Sequence, residues 1–205
     1  MSKKVLIGPS SFGEVNSEPL DKLMQAGLEV INNPFGRKIK KKEVMNLLKD
    51  REIIGLLAGV ETLDDEVLSS SNLKVISRVG SGISNVNIES IKKNNIKFFS
   101  VPFGPVTSVA ELTIGNIINL FRNIIPMHNN LHNNTWSREI GSELKGKSFL
   151  IIGMGKIGTK VATILDAFGG HIFIYDPFID KSSINKKYNY IKLKEALPLV
   201  DLVTV

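Results

Sequence analysis

The chain has 205 residues, a formal net charge of +6 and no cysteine. The lack of cysteine excludes a disulfide framework, a thiolate zinc site and a cysteine nucleophile. No uncharged apolar run approaches the roughly 18 residues of a membrane span. The apolar stretch behind Lys3 and Lys4 is also shorter than the core of a signal peptide. We therefore expect a cytoplasmic protein that contacts no membrane.

The positive charge is spread along the chain, whereas a nucleic-acid-binding protein usually concentrates it on one face. The one dense basic run is Arg37–Lys42. Such a run can form an anion or nucleic-acid patch, but it is more typical of a solvated loop that leads into a helix. We expect no nucleic-acid partner.

The first hundred residues alternate short apolar runs with stretches of helical spacing. Because the strands of a parallel sheet are buried on both faces, such apolar runs predict a parallel sheet covered by helices. The predicted strands are Val5–Ile7, Leu28–Ile31, Ile53–Ala58, Leu73–Ser77 and Ile96–Val101. The predicted helices are Pro19–Ala26, Glu43–Lys49, Asp64–Leu68 and Ile88–Lys93.

A Pro-Phe-Gly-Pro segment then interrupts the alternation. Behind it, Ser108 and Glu111 predict the capping box of a linker helix. We expect this helix to run to about Ile125, and Pro126 to kink or end it. The sequence therefore predicts two domains, 1–101 and 102–205.

The second domain restarts the alternation with three predicted strands and two helices. A complete dinucleotide-binding domain has about six strands. With so few strands, we expect the first one to be left as an exposed apolar edge. The strands are Phe149–Ile152, Ile172–Tyr175 and Leu202–Val205, and the helices are Lys156–Phe168 and Leu193–Leu199.

A G-x-G-x-x-G motif formed by Gly153, Gly155 and Gly158 follows an apolar strand and opens a helix, the context of a dinucleotide-binding fingerprint. Gly153 allows a tight turn, Gly155 lets the backbone approach a pyrophosphate, and Gly158 lets helix and strand pack closely. The helix N-terminus favours phosphates. Asp176, at the end of the next strand, is expected to bind the ribose hydroxyls and to repel a 2′-phosphate, so NAD is favoured over NADP. The alternative is a glycine-rich turn without a ligand.

Several segments spread over nearly the whole chain form a pattern that is specific when they are taken together: Asn72–Gly82, Asn85-Val86, Ser108–Leu112, Gly146-Lys147, the glycine motif and Tyr175-Asp176-Pro177. This pattern resembles the D-isomer-specific 2-hydroxyacid dehydrogenase family, particularly its phosphoglycerate dehydrogenase-like members. The resemblance implies a flavodoxin-like parallel-sheet substrate domain and an incomplete Rossmann (doubly wound) NAD-binding domain, with the active site in the cleft between them.

The same resemblance implies NAD-dependent oxidation of a D-2-hydroxy acid, or the reverse reduction of a 2-keto acid, in a homodimer. Backbone amides near Ser81 and Gly82 are expected to hold the substrate carboxylate. Gly59 and Val60 are expected to line the same pocket. Ser81 is also expected to contact the cofactor, and we expect Arg78 to support this loop, with a direct role at the site as the alternative.

For the cofactor, the resemblance implies that Lys156 and Ile157 lie against the pyrophosphate. The chain departs from the family at Ser84 and Asn87, where the family usually has aspartates that shape the loop.

The family's catalytic arginine, glutamate and histidine have no counterpart in this sequence. His128 and His132 have a spacing that can chelate a metal, but no third ligand is apparent, so we expect a solvated pair and no metal site. We expect His171 to be structural. The chain is therefore expected to be a fragment of a longer enzyme and to be inactive alone.

Two alternatives stay open. The first is a non-catalytic nucleotide-binding or sensor module, because the fingerprint occurs without catalytic residues. The second is another two-domain NAD protein, such as an alanine dehydrogenase-like enzyme. The loop from Arg78 to Asn87 and the start of the linker helix argue against the second.

Overall fold

The structure is a computed structural model that describes residues 3–180, 182 and 184–205. The chain divides into two compact units, Met1–Gly104 (unit 1) and Pro105–Val205 (unit 2). Within the described residues, no helix has the length and apolar character needed to cross a membrane.

Unit 1 contains a parallel five-stranded sheet with the strand order β2-β1-β3-β4-β5. The apolar runs form its strands because they bury side chains such as Leu6, Leu56 and Ile76, each at most 1% exposed. The predicted α/β class is confirmed. The elements are β1 Lys3–Ile7, α1 Glu18–Gln25, β2 Leu28–Ile31, α2 Lys41–Leu47, β3 Ile53–Ala58, α3 Asp65–Ser70, β4 Val75–Arg78, α4 Ile88–Lys93 and β5 Lys97–Ser100.

Two helices of unit 1 begin at side-chain caps. Asp64 Oδ1 accepts the N–H of Val67 at the start of α3 (3.1 Å), as its position before the predicted helix suggests. Asn87 Oδ1 accepts the N–H of Ser90 at the start of α4 (3.0 Å). Asn and Asp are equally good N-caps. The departure from the family pattern at Asn87 therefore leaves this helix start intact.

The basic run is paired with carboxylates. Arg37 Nη2 lies 2.7 Å from Glu43 Oε1, across the loop that leads into α2. Lys41 Nζ lies 2.6 Å from both Asp64 and Glu66, which belong to the start of α3. These ion pairs connect the loop, α2 and α3 through two of the five cations of the run, Arg37 and Lys41.

Unit 2 contains two helices followed by a parallel four-stranded sheet with the order β8-β7-β6-β9. This is the order 3-2-1-4 of the first four strands in a Rossmann sheet, which confirms the predicted class. Phe149 of β6 and Leu165 of α7 are both fully buried in its core. The elements are α5 Val106–Arg122, α6 Ile124–His132, β6 Ser148–Ile152, α7 Lys156–Ala167, β7 His171–Tyr175, β8 Asn189–Tyr190, α8 Leu193–Ala196, a 3₁₀ turn Leu197–Leu199 and β9 Leu202–Thr204.

The predicted strand arrangement of unit 2 was wrong in two respects. The sequence analysis did not predict β8. This strand has only two residues, which pair with β7 and are too few to show a periodic pattern. β6 also pairs with the last strand, β9, with Leu150 opposite Val203. β6 is therefore hydrogen-bonded on both sides and is not the exposed edge that we expected.

The predicted start and end of the linker helix were also wrong. α5 begins two residues before Ser108, whose hydroxyl donates to the carbonyl of Pro105 (3.2 Å) and forms no capping box with Glu111. The helix ends at Asn123, which has a left-handed φ of +52°. Pro126 falls in the first turn of α6, where a proline is tolerated because the N–H it lacks would have no intrahelical partner.

Candidate functional site

The glycine motif forms the loop between β6 and α7. Gly153 directly follows β6 and has a φ of +94°, a left-handed value that favours glycine. Its N–H donates to the carbonyl of Tyr175 at 2.9 Å, which joins the loop to the end of β7. Gly155 is the N-cap of α7. The loop therefore leads directly into a helix N-terminus.

The other two glycines of the motif meet different surroundings. A Cβ on Gly158 would lie 2.0 Å from the carbonyl oxygen of Gly153, so only glycine lets the helix approach the loop this closely. A Cβ on Gly155 would meet no atom within 4 Å. Open space thus lies at the N-terminus of α7, where backbone N–H groups and the helix dipole favour an anion. This cradle fits a pyrophosphate.

Asp176 lies at the carboxyl end of β7, beside the glycine loop. Its Oδ2 accepts the N–H of Met154 and its Oδ1 accepts the N–H of Phe178, each at 2.8 Å. These hydrogen bonds lower the pKa of Asp176 below its ordinary value, and the one from Met154 has the largest effect. The carboxylate is therefore ionised near neutral pH, and each oxygen has a second lone pair for a ribose hydroxyl.

Lys156 and Ile157 are the first two residues of α7. Lys156 is exposed, whereas Ile157 is half-buried and packs against the core of unit 2. Both lie in the turn whose backbone N–H groups point toward the space at Gly155. Their placement agrees with contact to a pyrophosphate through the backbone.

The four predicted substrate residues lie in two loops of unit 1, residues 59–63 and 79–87, here called the edge loops. Gly59 and Val60 follow β3, and Ser81 and Gly82 follow β4 after two intervening residues. β3 and β4 are parallel neighbours, so both loops lie at the carboxyl edge of the sheet, where open α/β sheets bind ligands. Gly59 is buried, and the other three residues are exposed.

Asn85 ties the edge loops together. Its side-chain amide donates to the carbonyl of Glu61 at 2.6 Å and to that of Gly59 at 3.3 Å. Its own carbonyl accepts the N–H of Leu63 (2.8 Å), and the carbonyl of Leu63 accepts the N–H of Asn87 (2.9 Å). These hydrogen bonds hold the two edge loops against each other.

The sequence analysis missed Glu61, which is only 1% exposed. Both of its carboxylate oxygens accept the N–H of Gly59, at 2.9 and 3.0 Å. Burial raises the pKa of Glu61 above its ordinary value. One feature of the sequence could have identified Glu61: it is a carboxylate three residues after the apolar strand β3, inside a segment already assigned to the pocket.

Arg78 is the last residue of β4 and is 8% exposed. Its Nη1 donates to the carbonyl of Val79 and, at 3.5 Å, to that of Ala58. Its Nε has no hydrogen-bond partner among the residues that the structure describes. A Cβ on Gly80 would lie 2.8 Å from Nη1. The guanidinium therefore lies directly against the second edge loop.

The three histidines all belong to unit 2. His128 and His132 are exposed on α6, with ring centroids 4.3 Å apart. His171 is the first residue of β7, at the opposite end of that strand from Asp176. Across residues 3–180, 182 and 184–205, no group of three or more side chains is arranged to hold a metal ion.

Comparison with known proteins agrees with this geometry. Residues 114–205 match the NAD binding domain of the D-isomer specific 2-hydroxyacid dehydrogenases. Human D-3-phosphoglycerate dehydrogenase is 32% identical over 186 residues, which are 89% of this chain and 34% of the relative. The chain thus spans about a third of the length of this curated relative.

Solved structures give the same result. A Thermus thermophilus protein has a TM-score of 0.79 and 25% identity, and the match covers 98% of this chain and 63% of that one. The NAD+-bound 3-phosphoglycerate dehydrogenase of Entamoeba histolytica has a TM-score of 0.72 and 26% identity, covering 99% and 62%. Residues 114–205 are therefore part of the NAD binding domain of the D-isomer specific 2-hydroxyacid dehydrogenases.

Proposed function

We propose that this chain supplies cofactor-binding and substrate-binding parts of an NAD-dependent oxidoreductase that acts on a D-2-hydroxy acid, as phosphoglycerate dehydrogenases do. NAD supplies hydride transfer to or from C2 of such a substrate. Residues 1–101 form the substrate domain in this proposal. Residues 102–205 form the linker helix and the first half of the NAD-binding domain.

The observation that carries the proposal is the cradle at the N-terminus of α7. Open space at Gly155 lies where α7 begins, and the Asp176 carboxylate is held beside the same loop by Met154. Gly153, Gly155 and Gly158 then shape the pyrophosphate site. Lys156 and Ile157 donate backbone hydrogen bonds, and Asp176 binds the ribose of the adenosine half.

The substrate carboxylate binds backbone amides near Ser81 and Gly82 in this proposal, with Gly59 and Val60 lining the pocket. Ser81 also contacts the cofactor. Support comes from the placement of both edge loops at one edge of the sheet and from their connection through Asn85. These residues bind and orient the substrate and leave proton transfer to another group.

We also propose that the 205-residue chain does not turn over substrate alone. A proton donor and acceptor is needed near the substrate C2. Its histidines lie on α6 and at the start of β7, the end of that strand opposite Asp176 and the glycine cradle. NADH oxidation by the purified chain with pyruvate, glyoxylate or hydroxypyruvate would show that this part of the proposal is wrong.

The decisive test is calorimetric titration of the purified chain with NAD, and with NADP as the comparison. We expect micromolar binding of NAD and much weaker binding of NADP, because an ionised Asp176 repels a 2′-phosphate. Equal affinity for both nucleotides would contradict the role of Asp176. Absence of binding by folded protein would contradict the cofactor site.

We further propose a homodimer, as is usual for the family. Leu120 on α5, and Ile125 and Leu131 on α6, are each more than half exposed. Such apolar side chains are typical of surfaces that become covered. The proposal concerns the full-length enzyme, for which sedimentation equilibrium should give twice the subunit mass; a monomer at all accessible concentrations would contradict the dimer.

A further inference from the structure

The Glu61 carboxylate is buried directly beneath the proposed substrate pocket. A Cβ on Gly8 would lie 2.4 Å from its Oε1, and a Cβ on Gly59 would lie 2.9 Å from its Oε2. The carboxylate is thus enclosed by the ends of β1 and β3. It occupies the N–H of Gly59, which is therefore unavailable to a substrate carboxylate in this arrangement.

Two cations act on Glu61 from the neighbouring elements. Arg78 acts from the end of β4, and Lys38 acts from the loop before α2. Both favour the ionised carboxylate, but their effect on the pKa is smaller than that of burial, so the pKa stays raised. The hydrogen bond from Gly59 also lowers the pKa of Glu61, but by less than burial raises it. Glu61 is therefore a buried acid that is easier to protonate than an exposed glutamate.

We propose that Glu61 sets the preference of the edge loops for ligand charge: its ionised carboxylate opposes an anionic substrate, and a substrate carboxylate binds with net proton uptake from solvent onto Glu61. Protonation leaves the nearby Arg78 guanidinium without a compensating negative charge. The pocket then gains positive potential as the anion enters. This inference rests on the proposed substrate role of the edge loops.

The expected size of the effect follows from Coulomb's law. Two unit charges ~8 Å apart at an effective dielectric constant of ~20 change a Kd about 30-fold. The hydrogen bond between Glu61 and Gly59 contributes less to the change in Kd, because a protonated carboxyl or an amide side chain retains an oxygen that accepts the same N–H. Electrostatic repulsion therefore decides the direction.

The test measures binding of D-lactate to the purified chain by NMR, following the amide resonances of Ser81 and Gly82 from about pH 5 to pH 8, where lactate is fully ionised. We expect the affinity of the wild type to fall as pH rises through the Glu61 pKa. Glu61→Gln should remove this dependence and, at a pH where wild-type Glu61 is ionised, bind D-lactate about 30-fold more tightly. Calorimetry in two buffers of different ionisation enthalpy should show proton uptake by the wild type only.

Two controls separate charge at the pocket from a general effect. Glu29→Gln, which removes one exposed carboxylate on β2 of the same unit, should leave D-lactate affinity and its pH dependence unchanged. Neutral D-lactamide should bind the wild type and Glu61→Gln equally. NAD binding to unit 2 and the thermal unfolding profile report whether each variant is folded.

The outcomes distinguish the two proposals. D-lactate binding that is independent of pH, or weaker in a folded Glu61→Gln variant, overturns the role of Glu61 and leaves the substrate role of the loops intact. NAD binding without any D-lactate response at Ser81 and Gly82 overturns the substrate role itself. The wild-type proton-uptake measurement needs no variant and stays decisive if Glu61→Gln fails to fold.

Discussion

The Asp176 carboxylate accepts a hydrogen bond from the backbone N–H of Met154 at 2.8 Å. This bond links the acidic end of β7 to the middle of the glycine motif. The N–H of Gly153 donates to the carbonyl of Tyr175 beside it. The phosphate side and the ribose side of the proposed cofactor site are therefore one hydrogen-bonded assembly.

Gly158→Ala should destabilise unit 2 and abolish NAD binding. The new Cβ would lie 2.0 Å from the carbonyl oxygen of Gly153, so helix α7 must move away from the loop. Thermal unfolding and NAD titration measure the two effects.

Gly155→Ala is the matched control for that substitution. Its φ is −69°, which alanine adopts without strain, and its Cβ would meet no protein atom within 4 Å. We expect a much smaller loss of stability than in Gly158→Ala, due only to alanine being a poorer N-cap than glycine. NAD binding should be weaker, because the methyl group enters the proposed pyrophosphate space. Unchanged NAD affinity would show that the pyrophosphate lies elsewhere.

Asp176→Asn should weaken NAD binding and reduce the discrimination against NADP. The amide is uncharged, so it no longer repels a 2′-phosphate, and it provides only one acceptor oxygen for backbone and ribose. Titrations with both nucleotides measure the ratio of their Kd values. Asp180→Asn, which removes an exposed carboxylate farther along the same segment, should leave that ratio unchanged.

Glu43 should make the stability of unit 1 depend on pH in the acid range. The ion pair with Arg37 and the N–H of Lys40 lower the pKa of Glu43 to about 2. A lowered pKa contributes stability above the ordinary value of 4.5 that is lost as pH falls toward about 2. Glu43→Gln should therefore flatten the pH dependence of the unfolding free energy in that window.

Arg37→Gln serves as the partner variant for this measurement. Because both substitutions remove the same ion pair, the double variant should lose little beyond either single variant. Additive losses would mean that the pair does not form in solution.

Phe149→Ala should cost unit 2 about 3–5 kcal/mol of unfolding free energy. Phe149 is fully buried in β6, and its ring centroid lies 5.8 Å from that of Phe121. Truncation therefore leaves a cavity at the centre of the core. Phe178→Ala is the control, because that side chain is 95% exposed; denaturant titration should show almost no change for it.

The pattern of apolar runs was enough to predict the α/β class and most of the strands. Ile53–Ala58 has the predicted bounds, because a strand buried on both faces leaves an uninterrupted apolar run. The edge strand Leu28–Ile31 also has the predicted bounds. The glycine motif also predicted its own loop and helix. Its spacing reflects local backbone geometry, which the nearby sequence determines.

Pairing and helix ends were harder to predict. β9 pairs with β6, and which strands pair depends on how the chain crosses the sheet. The helix break at Asn123 depends on a left-handed conformation that asparagine adopts only in some contexts. Neither feature has a local sequence signal as strong as an apolar run.

By itself, the sequence indicated the family resemblance, the fold class and the positions of the two loops and the glycine motif, because these depend on local patterns. Only the tertiary structure showed that Glu61 is buried beneath the first edge loop, that Asn85 ties the two edge loops together, and that Arg78 lies against the second edge loop. Burial and the charges around a group depend on residues far apart in the chain. The pKa of Glu61, and with it the proposed charge preference, therefore could not be read from its neighbours in sequence.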